Sequence, residues 1–145
     1  MFKITVLYVE NSPEDIDIMK HCCKKYADRV DLLIFQDGIK FLDFLESKNR
    51  EKIACPVCII LDIDLPFLNG LQILERLKAS QNPSIRSLPV VMYSSSIREY
   101  DKQTSKSLGA RAHIQKPLTY EGAKSFVDSI VSNILGPTNN LGAEI

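Results

Sequence analysis

Five short apolar runs alternate strictly with helical patterns along this chain, and that alternation decides most of what it can fold into. The runs are Ile4–Val9, Val30–Phe35, Pro56–Leu61, Leu88–Tyr93 and Ala112–Gln115. Between them, apolar residues recur every three or four positions, the spacing of one helix face. The first set is Ile16, Met19, Cys22, Cys23 and Tyr26, and the second is Ile39, Leu42 and Leu45 with Phe41. Leu71, Ile73, Leu74 and Leu77 form a third, and Ile97–Leu108 is a weaker fourth. The clearest follows Thr119: Ala123, Phe126, Val127, Ile130, Val131 and Ile134. Strands that each precede a helix are joined by crossovers, which gives a parallel sheet with helices on both faces. Pro56–Leu61, the most apolar run, belongs in the doubly covered middle. The expected class is α/β, a doubly wound five-stranded parallel sheet with five helices.

Local signals mark the boundaries. Ser12 is a helix N-cap and Pro13 a first helical residue, with Glu14 and Asp15 favoured by the dipole of that first turn. Asp37-Gly38 reads as a turn, Ser47–Lys52 and Gln81–Ser87 (containing Pro83) as surface loops, and Gly109 as the stop of the fourth helix. A length of 145 residues fits one domain. Residues 1–135 are assigned to it, with 136–145 a short tail and no output domain.

Eighteen basic and eighteen acidic residues cancel, so no global field draws in nucleic acid or an anionic membrane. An apolar fraction of 45% supports a real core and excludes disorder. No apolar run approaches the roughly 18–20 residues of a membrane span. Ile4–Val9 stops at Glu10, too early for a secretory signal. The expected setting is cytoplasmic.

Cys22, Cys23, Cys55 and Cys58 admit a four-thiolate zinc reading. Against it, adjacent residues on a helix point about 100° apart. Cys55-Pro56-Val57-Cys58 also leads into a strand, whereas a redox pair opens a helix. Small buried hydrophobes are the favoured alternative.

In a sheet of this kind, chemistry gathers beyond the carboxyl ends of the strands. There the sequence places Glu10-Asn11, Asp62-Ile63-Asp64, Ser94-Ser95-Ser96 and Lys116-Pro117. Oxygen ligands around one or two carboxylates suit Mg²⁺, which keeps several waters. A lysine and a hydroxyl beside them suit a phosphoryl group. The set therefore reads as an aspartate that accepts phosphate with a metal's help. Taken singly, each has a blander reading: Asp62 as a loop cap, Glu10 and Asp64 as solvated acids, Asn11 as a turn former, Ser94–Ser96 as a polar turn.

These segments resemble the receiver domain of bacterial two-component response regulators. VLYVENSPED is similar to the acidic first loop, and IILDIDLPFLNGLQIL to the phosphoacceptor segment with its Pro-x-x-x-Gly turn. PVVMYSSS resembles the hydroxyl-bearing fourth strand, and GARAHIQKP the fifth strand with its Lys-Pro. The likeness runs over about residues 3–135 and implies a flavodoxin-like strand order 2-1-3-4-5. It implies that Asp62 is the phosphoacceptor, that Ser94 and Lys116 meet the phosphoryl group, and that Glu10, Asn11, Asp62 and Asp64 hold Mg²⁺. His113 falls where the family has a switching Tyr or Phe, so Ser94 and His113 form the implied switch. Partners would be a histidine kinase or histidine phosphotransfer protein and an unknown protein target, with output by binding, phosphotransfer or dimerisation. The overall look is nearest to single-domain regulators, including those paired with phytochrome-type kinases. Such a chain catalyses only its own phosphorylation and dephosphorylation.

Asn11 stands where the family usually carries an aspartate and removes one charge from the metal pocket, so weaker Mg²⁺ binding is expected. It also favours an alternative, a pseudo-receiver that binds partners without being phosphorylated. Two further rivals are weaker. A haloacid-dehalogenase-type phosphatase would use Asp62-Ile63-Asp64 but needs that pair near the chain start. Flavodoxin-like nucleotide binding needs a Gly-rich loop after the first strand, which is missing. His21, on the first helix, is expected to be uninvolved.

Overall fold

A computed structural model describes residues 3–53 and 57–135. Cys55, Pro56 and the expected tail at 136–145 lie outside the described residues, as does the side chain of Ile134. Five strands, β1 (Ile4–Val9), β2 (Val30–Phe35), β3 (Val57–Leu61), β4 (Val90–Ser94) and β5 (Ala112–Gln115), form one sheet. Every pairing is parallel, and the order is β2-β1-β3-β4-β5. The helices are α1 (Pro13–Cys23), α2 (Gly38–Glu46), α3 (Gly70–Lys78), α4 (Pro83–Arg86), α5 (Glu99–Ser107) and α6 (Tyr120–Leu135).

Alternation along β1 divides the core, because successive side chains leave a strand on opposite faces. Ile4, Val6 and Tyr8 pack with Met19 and Cys22 of α1 and with Phe126, Val127 and Ile130 of α6. Leu7 and Val9 pack with Phe41 and Leu45 of α2 and with Ile73, Leu74 and Leu77 of α3. β3 is buried at every position, as a central strand covered on both sides must be. Cys22, Cys23 and Cys58 are free thiols buried in the first of these clusters. Burial pushes the Cys58 thiol up to about 12, so these three behave as apolar core atoms.

The expected count of five helices is corrected to six α-helices among the described residues. The extra one, α4, lies inside the stretch read as a loop. Asn82 caps it by accepting the Ser84 N–H at 2.9 Å, Pro83 supplies a preset first turn, and Ile85 is buried. Lys48–Lys52, also read as loop, winds into a 3-10 helix capped by Ser47. β4 starts at Val90 rather than Leu88, because Pro89 has no N–H to give the ladder; its carbonyl accepts the Ile59 N–H at 3.0 Å. α5 is the helix with the least apolar face, and its buried residues are Asp101 and Ser105. No helix among the described residues is long and apolar enough to cross a membrane.

Candidate functional site

Because all five strands run the same way, β1, β3, β4 and β5 release the chain at one rim, in adjacent positions. Glu10 follows β1, Asp62 follows β3, Ser94 ends β4 and Lys116 follows β5. Two ladder-like bonds continue the strand spacing past the strands: Asp62 N–H to Val9 O at 3.1 Å and Lys116 N–H to Ser94 O at 2.8 Å. The backbone thus brings the four side chains toward one place.

At the centre is the Lys116 ammonium, 2.6 Å from Glu10 Oε1, 2.8 Å from Asp15 Oδ2 and 3.5 Å from Asp62 Oδ2. Glu10 and Asp62 are buried, and each carboxylate is anchored. Glu10 Oε1 accepts the Tyr8 hydroxyl at 3.1 Å, while Oε2 accepts the backbone N–H groups of Asn11 and Ser12 at 3.0 and 3.2 Å. Asp62 Oδ1 accepts the Ile63 N–H at 2.8 Å, which leaves Oδ2 turned to the lysine. Burial and the neighbouring Glu10 raise the Asp62 carboxyl above the usual carboxylate range, against the pull of Lys116. Burial alone would lower Lys116, but the carboxylates of Asp15, Glu10 and Asp62 outweigh it and hold the ammonium above its ordinary value.

The loop behind Asp62 is closed by Gly70, whose N–H donates to Ile63 O at 2.9 Å. A Cβ on Gly70 would lie 2.1 Å from the Asp62 carbonyl oxygen, so only glycine fits there. In the same loop Phe67, a residue 82% exposed, adopts φ 70°, a left-handed backbone that a side chain ordinarily avoids.

Not every expected residue joins this cluster. Asn11 and Asp64 sit at the rim but are exposed and outside the ion-pair group. Among the described residues, no three His, Cys, Asp or Glu side chains are arranged to hold an ion by themselves. Ser94 is fully buried, its Oγ accepting the Ser96 N–H at 3.2 Å. Ser96 Oγ donates to Asp101 Oδ2 at 2.6 Å, and Arg98 reaches the same oxygen through Nε at 3.0 Å. A chain of hydrogen bonds therefore runs from Ser94 to the first turn of α5.

His113, in register with Met92, lies against α5, and its buried Nδ1 has no hydrogen-bond partner. Burial lowers its pKa, with Asp101 pulling the other way. An imidazole below the ordinary ~6.5 binds fewer protons folded than unfolded. Stability from this group is therefore complete above that value and is lost as pH falls through it toward the folded pKa. A proton-NMR titration of His113 is expected to give a midpoint under the ordinary value; one at or above it would contradict the burial argument.

Two contributions escaped the sequence. Asp15 reads as a first-turn acid serving the helix dipole, yet it reaches Lys116. The available signal was the brevity of the β1–α1 connection: three residues, Glu10–Ser12, leave the first turn of α1 over the same rim. Asp101 reads as one more charge on a polar helix, but it is buried under Ser96 and Arg98.

A glutamate after β1, an aspartate after β3, a hydroxyl on β4 and a lysine after β5 share one rim of a flavodoxin-like sheet. Residues 6–127 match the response regulator receiver domain, and the chain belongs to that family. Response regulator Rcp1 of Synechocystis sp. (strain ATCC 27184 / PCC 6803 / Kazusa) is 29% identical over 128 residues, 88% of this chain and 86% of its own length. The Mn²⁺-bound form of Rcp1 superposes with a TM-score of 0.78 at 28% identity, over 92% of this chain and 96% of that one. The fold is equally that of the phosphorylated cyanobacterial phytochrome response regulator RcpA, with a TM-score of 0.82 at 24% identity over 92% and 95%.

Proposed function

We propose that this chain is a phosphorylation switch in which Asp62 takes a phosphoryl group from the phosphohistidine of a histidine kinase or a histidine phosphotransfer protein. The observation that carries this is the placement of one ammonium, Lys116, within 2.6 Å of Glu10 and 3.5 Å of Asp62, residues from three different strand ends. The Ile63 N–H holds Oδ1, so Oδ2 is the attacking oxygen. It forms the new P–O bond as the P–N bond breaks, and that bond's electron pair stays on the donor's imidazole nitrogen. Lys116, already on the Oδ2 side, pairs with the phosphoryl oxygens, and Ser94 donates its hydroxyl to them.

Glu10 and Asp62 would hold Mg²⁺, with the Asn11 amide oxygen and Asp64 backbone adding neutral ligands. Two anchored carboxylates at one rim fit a cation that keeps several waters, and Rcp1 is known in a Mn²⁺-bound form. When bound, the metal neutralises charge on the transferring group. With Asn11 in place of an acid, the affinity would be weak.

Output begins at Ser94. Turning its hydroxyl to the phosphoryl group gives up the Ser96 N–H, and Ser96 is tied to Asp101 on α5. The α5–β5 surface beside His113 is then the face that a protein target reads.

Incubation with acetyl phosphate and Mg²⁺ is expected to add one phosphoryl mass, and Asp62→Asn to add none. No gain at tens of millimolar Mg²⁺ would leave a partner-binding module that lacks phosphorylation.

A further inference from the structure

Acids at the third position of a helix ordinarily complete a capping box, reaching back to the N-cap N–H while the N-cap side chain serves theirs. In α1 half of that box is present: Ser12 Oγ accepts the Asp15 N–H at 3.4 Å. The other half is not. The Ser12 N–H is taken by Glu10 Oε2 at 3.2 Å, and the Asp15 carboxylate crosses to Lys116 Nζ at 2.8 Å. Capping therefore does not account for this carboxylate.

From this diverted contact we infer that Asp15 is a positioning residue, a resting-state clamp that holds Lys116 back from Asp62 and competes with the phosphoryl group for it. The ammonium is closer to Asp15 and Glu10 than to the phosphoacceptor oxygen, by 0.7 and 0.9 Å respectively (3.5 against 2.8 and 2.6). Glu10 is pinned by three other donors and belongs to the metal pocket. Asp15 is partly exposed and on a helix, and among the described residues its carboxylate makes no other hydrogen bond or ion pair. It is the partner that Lys116 can leave. Phosphorylation would then exchange one ion pair for another, and the pair given up sets how favourable the exchange is. Asp15 also keeps a carboxylate beside the lysine where Asn11 supplies none. The inference rests on the phosphoacceptor reading above and deepens it.

The test pairs two measurements on the whole chain. The first is the ¹⁵N-ammonium resonance of Lys116, which hydrogen bonding to Asp15 protects from exchange. The second is affinity for beryllofluoride at saturating Mg²⁺, a phosphoryl mimic on Asp62. Asp15→Asn is expected to broaden or shift the resonance and to tighten beryllofluoride about fivefold, the scale of one partly exposed ion pair. Asp15→Glu is expected to restore both to the wild-type values. Glu14→Gln removes the same charge from the same turn, but Glu14 meets Ser12 rather than Lys116, so neither readout should move. An unchanged resonance in Asp15→Asn overturns the clamp. So does an affinity that is unaltered, weakened, or matched by Glu14→Gln. If the wild type binds no beryllofluoride, the phosphoacceptor reading fails, and the resonance alone decides whether Asp15 holds the lysine.

Discussion

Gly70→Ala is expected to lower stability by about 3 kcal/mol or more, the upper range for forced overpacking. The new methyl would meet backbone, not a yielding side-chain tip: Asp62 O at 2.1 Å and Asp62 C and Ile63 Cα at 2.8 Å each. None of these three atoms can step aside cheaply, because Asp62 N–H is bonded to Val9 O and Gly70 N–H to Ile63 O. The whole turn from β3 to α3 must open. For a chain of this length that corresponds to a melting temperature about 10 °C lower. The surviving folded fraction should also take up phosphate poorly, since Asp62 moves with its own carbonyl. Thermal denaturation and phosphoryl uptake measured on one preparation would check both effects. Wild-type values for either would mean that the turn relaxes more easily than its hydrogen bonds allow.

Lys116→Ala is expected to be comparably damaging, and in a manner that depends on pH and metal. Its removal leaves two buried carboxylates and Asp15 without their cation, a loss on the order of 3 kcal/mol at neutral pH. Asp62 is already raised by burial and by Glu10, and losing the ammonium removes the larger of the influences that opposed them, leaving only the Ile63 N–H. The folded variant then binds protons that the unfolded chain, with carboxyls near 4, does not. Its stability therefore rises as pH falls from above neutrality toward about 5. On the proposed reading Mg²⁺ would bind only the folded site and so restore part of the loss by mass action. Urea midpoints at two pH values, with and without Mg²⁺, provide the measurement. A deficit that ignores both variables would show that the lysine's contribution is packing by its stem.

How far the sequence reaches can be judged from particular elements. β1, β2 and β5 occupy the residues of their apolar runs, and Ser12 caps α1 as its position before Pro13 suggests. These are local signals with a single physical cause. β4 shifted because of one missing N–H at Pro89, which an apolar pattern does not register. α4 is one turn long, too short to show periodicity, so it was visible only in its Asn-Pro start. At the site, Glu10, Asp62, Ser94 and Lys116 could be located because a parallel sheet delivers every strand end to one rim. Which neighbouring side chain turns inward is a different matter. Asn11 and Asp64 are as close in sequence as Asp15 is, yet they face solvent while Asp15 meets the lysine. That choice depends on backbone direction within the β1–α1 connection for Asn11 and Asp15, and within the β3–α3 loop for Asp64.

The lysine and its acidic partner on the first helix are 101 positions apart along the chain; Glu10 shares the crossover of that partner, while Asp62 and Lys116 each follow a different strand. No single strand–helix unit contains the site. A nascent or partly melted chain that had yet to place β5 and Lys116 would already display Asp62, but without the counter-charge beside it. The ion-pair cluster thus comes into being only when the last strand is in place, so its presence reports a finished fold.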